Sequence, residues 1–260
     1  MKRYSILLSV PIILFASMQA NAQWFYTSSF SGAWSSTWNN PISATSSVMI
    51  QGAINRKMLE QSIANQQGRH TNSGGVANGA ASAPARAQSA LPPTNYAVLR
   101  FRPATDSGVP KKFADALGTN PQERAALLEA FQEVKRTYEA EAAKDGKSNN
   151  IAAAMTFFLV ASSMAYHQTG EPADNVADAL VEVLQEQLSV SPDFKSMPDR
   201  QKQEMHDWLV VAGGLILTGY LDGVNTNDAK ELADYKALAD ASFRLVLGTG
   251  PEKFNLAAIK

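Results

Sequence analysis

The stretch that decides the fold runs Ile151-Ala-Ala-Ala-Met-Thr-Phe-Phe-Leu-Val-Ala-Ser-Ser-Met-Ala-Tyr166 and contains no charged residue. A helix that is apolar on every side lies inside a protein or in a membrane. Membrane-spanning helices need about 20 apolar residues, and this stretch is shorter. Its many Ala and Ser residues let neighbouring helices approach closely. It therefore predicts a central core helix, with a pore-forming segment as the alternative.

The segment before this stretch predicts an amphipathic helix. Asn120-Pro121 is typical of a helix start, with an N-cap followed by Pro in the first turn, and Gly146 is placed to end the helix. Leu127, Phe131, Val134 and Tyr138 recur at helical spacing. The opposite face is partly charged, with Glu129, Glu133 and Lys135.

The segments after the central stretch predict three more helices, of which the middle one is apolar in its second half, Trp208 to Leu221. Two apolar helices thus alternate with amphipathic ones, a pattern typical of a bundle whose centre is formed by the apolar pair. The predicted fold class is all-α, a single orthogonal or bundle-type domain of about five helices over residues 96–260. The three helices run from near Pro172, from about Pro198 to Leu221, and from Asn225 or Thr226 to Gly248.

The N-terminus has the features of a secretory signal peptide over residues 1–22. Lys2 and Arg3 precede an apolar run, and Ala20-Asn21-Ala22 supplies the small residues that a signal peptidase recognises. We expect cleavage after Ala22 and a periplasmic or secreted mature protein, with a retained membrane anchor as the alternative.

Three segments separate the signal from the domain. Residues 23–44 form a leader rich in Ser and aromatic residues, 45–67 have helical spacing, and 68–95 are dominated by small and polar residues. Such a composition cannot bury enough apolar surface to offset its ordering entropy, so 68–95 is predicted to be a flexible linker. The leader and the N-terminal helix either pack back on the domain or bind a protein partner.

Charge and cysteine content exclude several classes of protein. Without the signal, 21 Lys+Arg face 24 Asp+Glu, a net charge of −3. A nucleic-acid surface needs a clustered basic face, so no nucleic-acid partner is expected. The chain has no cysteine, which excludes cysteine nucleophiles and disulfides.

Four residues are the candidates for a catalytic site: Glu204, His206 and Asp207 in the fourth helix, and His167 at the end of the second. Imidazole and carboxylate groups serve in acid–base catalysis and bind zinc. No His-Glu-x-x-His spacing occurs, and adjacent helix positions do not face each other. The sequence therefore predicts no metal and no cofactor.

The charged run 199–204 is predicted to be a solvated face, or alternatively a docking edge for a partner.

Short motifs of the domain resemble a bacterial exported family known as domain of unknown function 6683. The resemblance covers residues 96–260 and implies an all-helical domain behind a signal peptide and a variable leader. It implies no activity, cofactor or catalytic residue. The motifs that carry it are Arg102-Pro103, Gly146, Asn149-Asn150-Ile151-Ala152-Ala153-Ala154, Lys202-Gln203-Glu204, Leu247-Gly248 and Phe254-Asn255-Leu256.

Three functional hypotheses follow, and the first is favoured. An extensive apolar core without converging polar residues favours a non-catalytic binding or scaffold module. A cell-envelope hydrolase with a His/carboxylate site is the first alternative. A protein that interacts with membranes through its apolar helices is the second, although the domain is predicted not to insert.

Overall fold

The computed structural model describes residues 96–104 and 106–256, except for the side chains of Asp174 and Lys253. The predicted signal peptide, leader, N-terminal helix and linker lie outside these residues. Within them the structure is all-α and has no strand, which confirms the predicted fold class. Its α-helices are α1 (Val109–Leu117), α2 (Pro121–Lys144), α3 (Ile151–His167), α4 (Asp174–Val190), α5 (Pro192–Ser196), α6 (Asp199–Thr226) and α7 (Ala229–Leu247).

Helices α3 and α6 form the centre of the domain, as the sequence predicts. Residues 151–156 and 158–165 of α3 are all buried. The two helices run in the same direction: Gly213 lies against Phe158, and one to two turns further along the Tyr220 hydroxyl donates to the carbonyl of Thr169. The uncharged stretch is therefore covered by the chain's own helices.

Glycines of α6 also allow α2 and α7 to pack closely against it. A Cβ atom built on Gly214 would lie 2.3 Å from Cγ1 of Val134 on α2, and one built on Gly219 would overlap the ring of Tyr235 on α7. These positions accept no side chain without displacing a neighbouring helix, because interiors are already close-packed.

Two short helices were not predicted from the sequence. Helix α1 follows Gly108, whose φ of 74° is left-handed, and α5 has only five residues. Both begin near a proline, which has no backbone N–H to lose in a first turn. Residues Tyr96–Leu99 form a 3₁₀ helix, although the sequence from Tyr96 to Phe101 favours an extended segment.

Residues 100–104 and 106–107, called the strap below, cross the first half of α6. The backbone N–H of Arg102 donates to Asp199, and Ala104 exchanges two hydrogen bonds with the amide of Gln203. Asp199, Gln203 and Asp207 are four residues apart and so share one face of α6. The prediction of a solvated face for 199–204 is wrong at Lys202 and Gln203, which are 6% and 3% exposed. The strap covers Gln203.

Candidate functional site

Four charged side chains meet where α2 crosses the start of α6. Lys135 and Glu139 are one helical turn apart on α2 and therefore point the same way. His206 and Asp207 are consecutive on α6. We call these four residues the His206 network.

The His206 imidazole lies between two carboxylates. Its Nδ1 is 3.0 Å from Oδ1 of Asp207, and its Nε2 is 2.9 Å from Oε1 of Glu139, although the second contact is an ion pair without hydrogen-bond geometry. The Lys135 ammonium donates to Oδ2 of Asp207 at 2.6 Å. With two basic and two acidic groups, the network is neutral when all four are charged.

The network is enclosed by aromatic rings and by the strap. The ring centroid of His206 is 5.1 Å from that of Phe101 and 5.6 Å from that of Tyr138, both edge-on. His206 and Asp207 are each 1% exposed. Burial of charges at this depth is costly unless they are paired, and here Asp207 is hydrogen-bonded to both His206 and Lys135.

The surroundings shift the pKa values of both buried groups. Burial alone would lower the pKa of His206, but the hydrogen bond with Asp207 and the interactions with the charges of Asp207 and Glu139 outweigh it, so that pKa is raised. Burial alone would raise the pKa of Asp207, but hydrogen bonds from His206, Lys135 and Ser107 outweigh it, so that pKa is lowered. Both shifts favour the charged forms.

The fold brings together two of the four candidate residues. His206 and Asp207 are in the network. Glu204 is at the surface and pairs with Arg200 one turn away, at 3.2 Å. His167 ends α3, where its Nε2 lies 3.0 Å from the carbonyl oxygen of Pro251.

His167 and His206 lie at opposite ends of α3. Glu139, the partner of His206, also accepts the backbone N–H of Asn149, just before α3 begins. Helix α3 has 17 residues, and at 1.5 Å per residue this is a separation of about 25 Å along its axis. The two imidazoles therefore cannot act on one substrate group.

Sequence reasoning missed the other half of the network. Lys135 was assigned to the charged outer face of α2, yet it is bonded to the buried Asp207, 72 residues away in the chain. Lys135 and Glu139 directly follow the core residues Val134 and Tyr138, so they lie at the edge of the buried face. This adjacency is the one signal that could have indicated an inward role.

Two further features bear on the alternatives. Among the residues that the structure describes, no group of three or more His, Asp or Glu is placed to hold a metal ion. Helix α6 is long and apolar enough to cross a membrane, but 67% of its apolar stretch is buried inside the domain. A soluble core helix has these same properties.

These features define the class of protein: an all-α domain with a buried, charge-balanced histidine–carboxylate network beneath an N-terminal strap. The chain belongs to a family of unknown function, DUF6683, whose model matches residues 2–259. The match includes the region before residue 96 as well as the helical domain. Comparisons with curated proteins and with solved structures each returned no match.

Proposed function

We propose that the protein is an exported, non-catalytic binding or scaffold module, in which the helical domain supports a partner-binding N-terminal region. The observation that carries the proposal is the burial of His206 and Asp207, each 1% exposed. A catalytic acid or base must come within hydrogen-bond distance of its substrate, directly or through one water. Here both ring nitrogens of His206 already face protein carboxylates.

Export is supported by the N-terminal sequence. Lys2 and Arg3, the apolar run and Ala20-Asn21-Ala22 follow in the order of a signal peptide. Fractionation of cells that produce the full chain, followed by N-terminal sequencing, tests this part of the proposal. We expect a periplasmic or secreted product that begins at Gln23. A product retained in the cytoplasm with Met1 or Lys2 at its start would contradict it.

Partner binding is tested by affinity capture from a cell-envelope extract. The mature chain and a version without residues 23–67 serve as the two baits. We expect a set of captured proteins that is lost on deletion, because the proposal assigns partner binding to residues 23–67. An unchanged set would contradict a binding role for this region.

The hydrolase alternative makes a different prediction, centred on His206. If the network were catalytic, His206→Gln would abolish hydrolysis of cell-envelope material by a protein that is still folded. Glu204→Gln is the matched surface control on the same helix. We expect no such hydrolysis in the wild-type chain, and activity that depends on His206 would overturn the non-catalytic assignment.

The membrane alternative is tested with the purified mature chain and dye-loaded vesicles of anionic phospholipid. Because most of the apolar stretch of α6 is already buried in the domain, we expect no leakage from intact vesicles. Leakage at micromolar protein would favour membrane insertion.

A further inference from the structure

We propose that the His206 network is a pH-sensitive lock that fastens the strap, residues 100–104 and 106–107, onto α6, and that the lock opens when His206 loses its proton. The proposal concerns a conformational device of the domain and does not depend on the identity of any partner. It joins three observations: the position of the imidazole between two carboxylates, its burial, and the contacts that connect it to the strap.

The position of His206 between two carboxylates favours a proton on both of its ring nitrogens. A neutral imidazole has one N–H and one lone pair. If Nδ1 carries the hydrogen, the lone pair of Nε2 faces Oε1 of Glu139 at 2.9 Å. If Nε2 carries it, the lone pair of Nδ1 faces Oδ1 of Asp207 at 3.0 Å. Either neutral form therefore places a lone pair against a carboxylate oxygen.

The Glu139 side chain is held in place by the backbone just before α3. Both of its oxygens lie 3.3 Å from the backbone N–H of Asn149, which donates to them. Its side chain is 24% exposed, so water also solvates the charge.

Among the described residues, no cation other than Lys135 forms a hydrogen bond or ion pair with Asp207 or Glu139. When His206 is neutral, Asp207 and Glu139 face a single cation, the ammonium of Lys135, and the network carries a net charge of −1. Helix α3 offers no ionisable side chain between residues 151 and 165, and the charged residues of α1 are exposed. The groups that face the network are Lys135, Tyr138 and Glu139 from α2, Asp207 from α6, Phe101 and Ser107 from the strap, and the backbone N–H of Asn149.

The strap is connected to His206 at both of its ends. At one end the Phe101 ring packs edge-on against the imidazole, and the Phe101 N–H donates to the carbonyl of Asn149. At the other end Ser107 lies close enough to Asp207 to help lower the pKa of that carboxyl group. Asn149 also donates to Glu139. A shift of the imidazole or of Glu139 therefore disturbs the contacts that hold residues 101 and 107.

The direction of the pH effect follows from the raised pKa of His206. A group whose pKa is higher in the folded state contributes stability at pH values below its unfolded pKa, which is 6.5 here. That contribution is lost as the pH rises through the folded pKa. The lock is therefore closed in mildly acidic solution and opens on the alkaline side.

Hydrogen exchange of the mature chain tests the proposal, measured by mass spectrometry across a pH series and normalised for the intrinsic exchange rate. We expect peptides that cover 100–107 to lose at least about tenfold protection once the pH exceeds the folded pKa of His206 by one unit. Peptides of α4 serve as the internal reference. The imidazole is followed by NMR, because the chain has only three histidines and His206→Gln assigns the signal.

Glu139→Gln is the decisive variant, because it keeps the shape of the side chain and removes the charge that faces Nε2. We expect it to move both the titration of His206 and the opening of the strap to lower pH by about one unit. Glu133→Gln is the matched control: Glu133 lies on the same helix, is 25% exposed and pairs with Arg136. It should leave both midpoints unchanged.

Three results would overturn the proposal. One is strap protection that does not change while His206 titrates, and another is a His206 that titrates at or below its ordinary pKa. The third is a Glu139→Gln variant in which the opening midpoint does not move. If His206→Gln fails to fold, the Glu139→Gln comparison still decides, because that variant retains the imidazole.

Discussion

The two halves of α6 are buried by different means. Residues 208–217 are apolar or glycine, and all of them are buried against neighbouring helices. Residues 199–207 are mostly polar or charged, yet Lys202, Gln203, His206 and Asp207 are also buried. The apolar half, residues 208–217, is buried by the hydrophobic effect. In the polar half, residues 199–207, Gln203, His206 and Asp207 are buried where specific polar groups contact them.

The difference shows what each half demands of the rest of the chain. The apolar half needs only shape complementarity, since the hydrophobic effect is not directional. The polar half needs a specific hydrogen-bond or ion-pair partner for each buried polar group, because an unpaired buried charge is strongly destabilising. Its partners come from α2 and the strap, which are distant in sequence.

Of the changes considered, removal of the Asp207 carboxylate should cause the largest loss in the free energy of unfolding. Asp207→Ala leaves Lys135 and His206 without their shared carboxylate, and we expect a loss of about 4 kcal/mol in the free energy of unfolding. Asp199→Ala is the matched control on the same helix, since Asp199 accepts one bond from the exposed N–H of Arg102. That control should cost less than about 1 kcal/mol. Urea unfolding followed by far-UV circular dichroism measures both, and equal losses would contradict the comparison.

Gly214→Ala tests the apolar half. The added methyl group would lie 2.3 Å from Cγ1 of Val134, and such overpacking costs about 2 kcal/mol. The double variant Gly214→Ala/Val134→Ala removes the overlapping atom, because the remaining Cβ of residue 134 is 3.5 Å away. We expect the loss from the overlap to be recovered in a double-mutant cycle by urea unfolding. Strictly additive losses would show that steric overlap is not the cause.

Asn150→Ala probes the N-terminus of α3, the apolar partner of α6. The Asn150 side chain accepts the backbone N–H groups of Ala152 and Ala153 and is buried. Loss of the cap should cost about 1–2 kcal/mol. Asp228→Ala removes the corresponding cap of α7, where the bonds are exposed, and should cost less. Thermal unfolding of the two variants gives the order, and the reverse order would be inconsistent with the burial argument.

Glu204→Ala should have the smallest effect. Glu204 pairs with Arg200, whose side chain is 82% exposed, and surface pairs of this kind contribute about 0.3–0.5 kcal/mol. We expect no measurable change in the urea midpoint. A loss above about 1 kcal/mol would indicate that the polar half extends to the outer face of α6.

Secondary structure was predictable wherever a local signal was strong. Asn120-Pro121 starts α2, Asn150 caps α3 and Gly248 follows the end of α7, as local rules predict. Helix α5 was missed because five residues are too few for a periodic pattern, and α1 was missed although Val109, Phe113 and Leu117 recur at helical spacing. Helix α7 begins at Ala229, later than predicted, because Asp228 provides the cap.

The candidate site was half predictable. His206 and Asp207 are adjacent in sequence, and their chemistry singled them out. The amphipathic pattern of α2 placed Lys135 on an outer face, since such a pattern records average polarity and not the partner of a given side chain. Glu139, Ser107 and Phe101 reach the site through tertiary contacts alone.

The sequence by itself determined that the chain is helical and that residues 151–166 and 208–221 lie at its centre, because apolar residues leave water wherever the chain allows it. Only the tertiary structure decided which polar residues are buried with them. Their burial depends on partners up to about a hundred residues away, such as Ala104 for Gln203, and no local pattern specifies those partners. The same long-range contacts place His206 between two carboxylates.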